Sequence, residues 1–280
     1  SRTETQVLTT MPTTGAPAPG HAALQGTAHV TPLVEILPTA VTATATDTDT
    51  LLADTVTTVL LLLAAFSALV GTGMDMWTAH HVRSWIPAGA GYSTSFGPGW
   101  GGSLNRLSYF TAQSNLLVAL SSVALVVRPN PRGRLLPFLQ LVAMLDITLT
   151  CLVYVGVLAG PNLGGSFPAE VIVATILQHL VTPLLAWAAW LLAAPAAVTV
   201  RSAALAALAP LLYCVLTLVR GALVDWYPYP FLDVPALGYP RVFGAVLCLS
   251  VLVALIALLM GLCQRFLRGA PRAQKQVLAQ

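Results

Sequence analysis

A hydroxyl, an imidazole and a carboxylate stand inside hydrophobic stretches of this chain: Thr111, His179 and Asp146. Of five histidines, His179 alone lies within a long apolar run; His21 and His29 fall in a polar N-terminal stretch, and His80 and His81 in a loop. Asp146 is the one carboxylate well inside such a run. An ionisable group in hydrocarbon is costly, so it faces a bundle interior and marks a functional position by default. Threonine with histidine reads as a nucleophile and its base, because the hydroxyl is weak until a neighbouring imidazole takes its proton. Asp146 is the candidate third group, orienting the imidazole directly or through water.

Other polar residues recur at helical spacing around these three. Ser108, Thr111, Ser114 and Asn115 lie three or four residues apart, which puts them on one helical face. Asp146, Thr150 and Tyr154 follow an i, i+4, i+8 line. Thr175, His179 and Thr182 share a face, with Gln178 beside it, and Tyr213, Thr217 and Arg220 form a fourth stripe. Stripes on four helices are satisfied together only by facing one interior. Gln113, Ser114 or Asn115 is the candidate donor to a developing oxyanion. Ser108, Tyr154, Gln178, Tyr213 and Arg220 are candidate substrate contacts. The same residue types also serve as interhelical hydrogen-bond glue, so the stripes alone do not choose between chemistry and packing. Pro183 cannot donate to the carbonyl of His179, which predicts a kink there.

The elements that position these residues are legible in composition. The chain has 280 residues, 56% hydrophobic and 8% charged, with mean hydropathy +0.79. A soluble domain carries about 25% charged residues. The expected class is an all-α polytopic membrane protein, a six-helix bundle. A net charge of +3 on so apolar a chain argues against a nucleic-acid partner. Cys151, Cys214, Cys248 and Cys263 fall in or at the ends of apolar runs, which predicts no disulfide framework. No Cys/His spacing suits a metal, and a single intramembrane histidine does not suit a bis-histidine haem, so no cofactor is expected.

Residues 1–50, rich in Thr, Ala and Pro, read as a disordered polar tail. Residues 51–264 hold the membrane domain, with spans over 52–73, 105–127, 137–159, 169–194, 202–220 and 241–263. Each is near or above the roughly 20 residues needed to cross about 30 Å of hydrocarbon. Residues 265–280 form a basic C-terminal tail. Arg128, Arg132 and Arg134 mark one loop, and Arg265, Arg268, Arg272 and Lys275 mark the tail, whereas the loop from Gly160 to Ala169 has no Arg or Lys. The positive-inside rule then predicts a plasma-membrane protein with both termini cytoplasmic and the first, third and fifth loops outside. At about 1.5 Å per residue, Thr111 and His179 lie roughly 9 and 15 Å from the outer ends of their spans, and Asp146 about 20 Å.

Three segments in order carry a family resemblance. Gly101-Gly102-Ser103 runs into Leu104-Asn105-Arg106-Leu107-Ser108-Tyr109-Phe110-Thr111 and Asn115-Leu116. Gln178-His179-Leu180-Val181-Thr182-Pro183 follows, and Tyr229-Pro230-Phe231-Leu232 with Gly238 leads into the last span. On a six-span chain this resembles the androgen-induced and androgen-dependent membrane hydrolase family. The resemblance implies a threonine-based, serine-hydrolase-like enzyme acting on fatty acid esters of hydroxy fatty acids, with a membrane lipid ester as its partner. The family threonine maps to Thr111 and the histidine to His179. Counting from Gly-Gly-Ser without a gap reaches Ser108 instead; Thr111 needs a three-residue insertion but keeps the apolar-Thr pair. The Tyr-Pro-Phe-Leu segment is expected to close the outer mouth of the cavity. Two rival readings stand beside the hydrolase: a proton-coupled small-molecule transporter using Asp146 and His179, and a non-enzymatic scaffold.

The orientation is checked by cysteine labelling. With the four native cysteines replaced, Asn162→Cys is expected to react with an impermeant maleimide in intact cells. Reaction only after permeabilisation would reverse the topology.

Overall fold

Hydrocarbon offers the backbone no hydrogen-bond partner, so an apolar run must close its own bonds as a helix or a barrel. This chain takes the helical solution. The structure, a computed structural model, describes residues 36–129, 131, 133–162, 167–193 and 198–277. The chain divides into two units, Ser1–Asp47 and Thr48–Gln280. The six spans and the site belong to the second.

The helices are α1 (Ile36–His81), α2 (Trp100–Arg106), α3 (Phe110–Val127), α4 (Leu135–Val153), α5 (Ala159–Asn162), α6 (Ala169–Ile176), α7 (Thr182–Leu192), α8 (Val200–Ala206), α9 (Leu208–Val224), α10 (Val234–Leu237) and α11 (Tyr239–Val277). Among the described residues six stretches are long and apolar enough to span a membrane: Thr50–His81, Phe110–Val127, Leu135–Leu158, Ala169–Leu192, Val200–Val224 and Tyr239–Leu267. The chain is therefore a multi-pass, all-α membrane protein. Each expected span overlaps one of these stretches. The expected tail over residues 1–35 lies outside the described residues. Helix begins at Ile36, ahead of the expected end of the tail at residue 50.

Two interruptions matter for the site. The expected second span, 105–127, is broken by a turn at 107–109 between α2 and α3. Ser108 is thus in the turn, off the helical face it was expected to share with Thr111. The fourth span runs from α6 through a π-helical turn, Leu177–Val181, into α7. Pro183 has no N–H for the carbonyl one turn back, and the wider turn absorbs that mismatch around His179. A second π turn, Tyr154–Leu158, follows α4. Pro210 similarly coincides with the break at Ala207 between α8 and α9.

α4 is the central helix: the run from Gln140 to Ile147 is buried throughout. It packs with Trp190, Ala206, Ile256 and Met260 into the main apolar cluster. Trp187 Nε1 donates to Thr148 Oγ1 at 2.8 Å, satisfying an indole N–H inside the bundle. α1 approaches the fourth span closely at Gly71, where a Cβ would lie 2.8 Å from Gln178 Cγ. There Gln178 Nε2 donates to the Gly71 carbonyl at 3.1 Å, and Thr182 Oγ1 donates to Ser67 Oγ at 2.9 Å.

At one end of the bundle the first and fifth loops fold onto each other. Asp233 caps α10 by accepting from Ala236 N–H at 3.1 Å and also accepts from Gly91 N–H at 2.8 Å. Gly91 is pressed against Pro235 and Ala236, leaving no room for a side chain. Asp225, left-handed at φ 51°, accepts from both the N–H and the hydroxyl of Ser93 at 2.9 and 2.7 Å. Those bonds hold its carboxyl below the usual carboxylate range. Trp226 lies in this layer between Phe96 and Tyr109, at ring distances of 5.5 and 5.4 Å. The pairing agrees with the expectation that both loops lie on one side.

Asp233→Ala removes in one step a helix cap and the acceptor that Asp233 offers to the Gly91 N–H. We expect a loss of about 1–3 kcal/mol, read as a lowered midpoint of thermal unfolding in detergent. An unchanged midpoint would mean that the loops do not depend on this carboxylate.

Candidate functional site

The first turn of a helix leaves backbone N–H groups without intrahelical partners, and away from water these must be met by something else. At the start of α3 no local side chain caps them. Two tyrosines from distant segments do so. Tyr213 on α9 accepts from Phe110 N–H at 3.1 Å and donates to the Ser108 carbonyl at 3.0 Å. Tyr229, in the fifth loop, accepts from Thr111 N–H at 3.3 Å. Both rings are buried. Burial pushes the Tyr229 phenol up to about 12, its bonds to Thr111 acting the other way. It therefore keeps its proton at neutral pH.

This arrangement fixes Thr111 in the first turn of α3, facing the fourth span. Thr111 Oγ1 lies 3.3 Å from His179 Nε2 and 3.4 Å from the Tyr229 hydroxyl. The other imidazole nitrogen, Nδ1, is 3.0 Å from the Thr175 carbonyl. A carbonyl only accepts, so Nδ1 carries the proton and Nε2 presents a lone pair to the threonine hydroxyl. The Tyr154 ring stacks on the imidazole at 4.2 Å, holding its plane. Thr175 is one turn before His179, and Tyr154 opens the π turn after α4.

The pair sits at the wall of a small, predominantly apolar cavity. Leu149, Val153, Pro210, Leu211, Leu249 and Val253 supply much of its lining, and Phe231 and Leu232 from the fifth loop also border it. The apolar lining suits an aliphatic chain. Of the Tyr-Pro-Phe-Leu segment, expected to close the outer mouth, Tyr229, Phe231 and Leu232 line the cavity.

The remaining expected site residues divide into three groups. Tyr213 lines the cavity, and Tyr154 reaches the site through the His179 ring. Ser114, Asn115 and Gln178 hold helices together. Ser114 Oγ bonds Thr150 Oγ1 at 2.8 Å and donates to the Thr111 carbonyl at 3.0 Å, and Asn115 Nδ2 donates to the carbonyls of Thr111 and Gln178 at 2.8 and 3.2 Å. Gln113 Nε2 donates to the Leu107 carbonyl at 3.0 Å. Gln113, Ser114 and Asn115, the expected oxyanion donors, thus make their bonds to backbone carbonyls and to Thr150. Ser108, Gln113 and Arg220 line a separate groove, with Tyr213 as the shared wall. Ser108 Oγ donates to the Asn105 carbonyl at 2.5 Å.

Asp146 is buried on α4, but no hydrogen bond joins it to His179, and its Oδ1 has no partner among the described residues. The role expected of it, orienting the imidazole, is filled by the Thr175 carbonyl. A backbone acceptor has no side-chain signature, so only its i−4 spacing from His179 pointed to it. Tyr229 was visible in sequence only as part of a loop. No group of three or more His, Cys, Asp or Glu residues suited to a metal occurs among the described residues. Comparison of the chain with family models, curated proteins and solved structures found no match.

Tyr229→Phe leaves the Thr111 N–H without its acceptor, at a cost of about 1–2 kcal/mol in stability. Tyr213→Phe, which leaves Phe110 N–H and the Ser108 carbonyl unmet, is expected to cost at least as much. Denaturant or thermal unfolding of the purified protein measures both; wild-type stability in both would remove the tyrosines from the architecture of the site.

Proposed function

We propose that this chain is an intramembrane hydrolase of lipid esters, with fatty acid esters of hydroxy fatty acids as a fitting substrate class. The observation that carries the reading is the Thr111 Oγ1–His179 Nε2 contact at 3.3 Å, with Nδ1 anchored on a carbonyl, beside an apolar cavity. The arginine distribution supports a plasma-membrane protein with cytoplasmic termini, which puts the cavity in the outer half of the bilayer.

In the reaction, Thr111 Oγ attacks the ester carbonyl carbon while its proton passes to His179 Nε2. The carbonyl π bond opens to an oxyanion. Tyr229 suits its stabilisation: the phenol accepts from Thr111 N–H, so its own proton is free to point toward the reacting centre. Collapse of the intermediate breaks the bond to the alcohol oxygen, which takes the proton back from His179. A water then repeats the sequence on the acyl-threonine, releasing the fatty acid and restoring the hydroxyl. The imidazolium formed in each half carries a positive charge against the Tyr154 face, a favourable cation–π arrangement. Ser108 is less suited to the attack, because its hydroxyl is committed to the Asn105 carbonyl.

The rival reading, a proton-coupled transporter, is favoured by one observation, the unpartnered Oδ1 of Asp146. It needs a proton path between Asp146 and His179, and no hydrogen bond joins them among the described residues.

The variants are expected to separate these readings. Thr111→Ala and His179→Ala should each abolish labelling by a fluorophosphonate probe and ester hydrolysis, and the double variant should be little worse than either single one. Thr111→Ser should keep part of the activity and Ser108→Ala nearly all of it. Asp146→Asn should leave hydrolysis within a few-fold of wild type. Loss of activity in Ser108→Ala with Thr111→Ala active would move the nucleophile. Full activity in both Thr111→Ala and His179→Ala at normal protein levels would sink the reading, and hydrolysis surviving alongside loss of proton-coupled flux in Asp146→Asn would favour transport.

A further inference from the structure

Two arginines enter the bundle at the end where the first and fifth loops meet, and their surroundings differ. Arg106 Nε is 3.6 Å from Asp75 Oδ1 and so has a counter-charge. Arg220, on α9, has none. Its Nη2 donates to the neutral Asn105 Oδ1 at 2.7 Å. Its guanidinium carbon lies 4.9 Å from the Trp226 ring centre and 5.7 Å from that of Phe96. Among the described residues no carboxylate pairs with it.

The aromatic faces and the asparagine hold the guanidinium in place, and one acceptor leaves most of its five donors unused. Arg220 borders a groove with Ser108, Gln113 and Thr217, and Leu216 forms its lipid-side wall. Leu216 is 59% exposed, so the groove opens sideways from the bundle rather than into the core. Arg220 lies four residues before the end of α9, roughly 6 Å of helical rise, which is headgroup depth. A cation without a counter-charge at that depth is costly unless an anion reaches it.

We infer that this groove is an anion-binding site for a lipid, in which Arg220 pairs with a carboxylate or phosphate while the chains lie against Leu216. The planar fork matches either group bidentately. The site is separate from the Thr111–His179 pair, across Tyr213, and does not depend on the hydrolase reading.

The test is native mass spectrometry of the full-length protein released from detergent micelles, titrated with dioleoylphosphatidylglycerol, oleate or dioleoylphosphatidylcholine. Wild-type protein is expected to bind at least one of the two anionic lipids about tenfold more tightly than the zwitterionic one. Arg220→Gln should erase that preference. Gln113→Glu, on the exposed face of α3, should erase it as well by placing a carboxylate in the groove. This second variant keeps the test decisive if Arg220→Gln fails to fold. Preference for oleate alone identifies a carboxylate site, for phosphatidylglycerol alone a phosphate site, and for both a general anion site. Equal binding of all three lipids by the wild type, or an undiminished anionic preference in the folded variants, overturns the inference.

Discussion

The start of α3 is the point on which the site depends. Its first backbone N–H groups have no intrahelical partner, and a donor left unmet away from bulk water costs free energy comparable to a lost hydrogen bond. Tyr213 and Tyr229, both from more than a hundred residues later in the chain, meet two of them. That solution has consequences beyond stability. It ties α9 and the fifth loop to the turn before α3, it holds Thr111 against the fourth span, and it leaves a phenol hydroxyl beside the threonine oxygen. Glycine at 221 is part of the same fit, since a Cβ there would fall within the Tyr227 ring.

The same economy governs His179. Pro183 deprives the helix of one bond, and the π turn at Leu177–Val181 restores continuity with a wider spacing. The imidazole is then locked by two neighbours of ordinary kind, a carbonyl one turn earlier and an aromatic face from the neighbouring span. No charged partner is needed to set its tautomer. A carbonyl holds the ring and fixes the proton on Nδ1 without adding a buried charge, which in a low-dielectric interior carries a large desolvation cost.

Below this level the polar residues have a structural task. Ser114, Thr150, Asn115, Gln178, Thr182 and Ser67 link α3, α4, the fourth span and α1 through hydroxyl and amide bonds. In lipid such bonds, with close approach at small residues such as Gly71, replace the hydrophobic drive that water would supply. The candidate site and the helix glue are therefore layers of the same stripes: Thr111 lines the cavity, while Ser114 and Asn115, one turn further on, bond to other helices.

Composition and apolar run length alone determined the class of this protein, because long unalternating apolar runs suit membrane-spanning helices and not barrel strands. Sequence also singled out His179 as a lone intramembrane imidazole, and Thr111 through the family resemblance. It preferred Thr111 to Ser108 on the motif alone; the turn at 107–109, which takes Ser108 off the helical face of Thr111, is seen only in the structure. It assigned the orienting role to Asp146, because a carboxylate is visible in a sequence and the carbonyl of Thr175 is not. Sequence placed Tyr229 only in a motif expected near the cavity mouth; its bond to Thr111, across 118 positions of chain, came from the tertiary structure. Period and composition describe what each segment can bury, whereas the pairing of a loop phenol with a helix N-terminus exists only once the segments have packed.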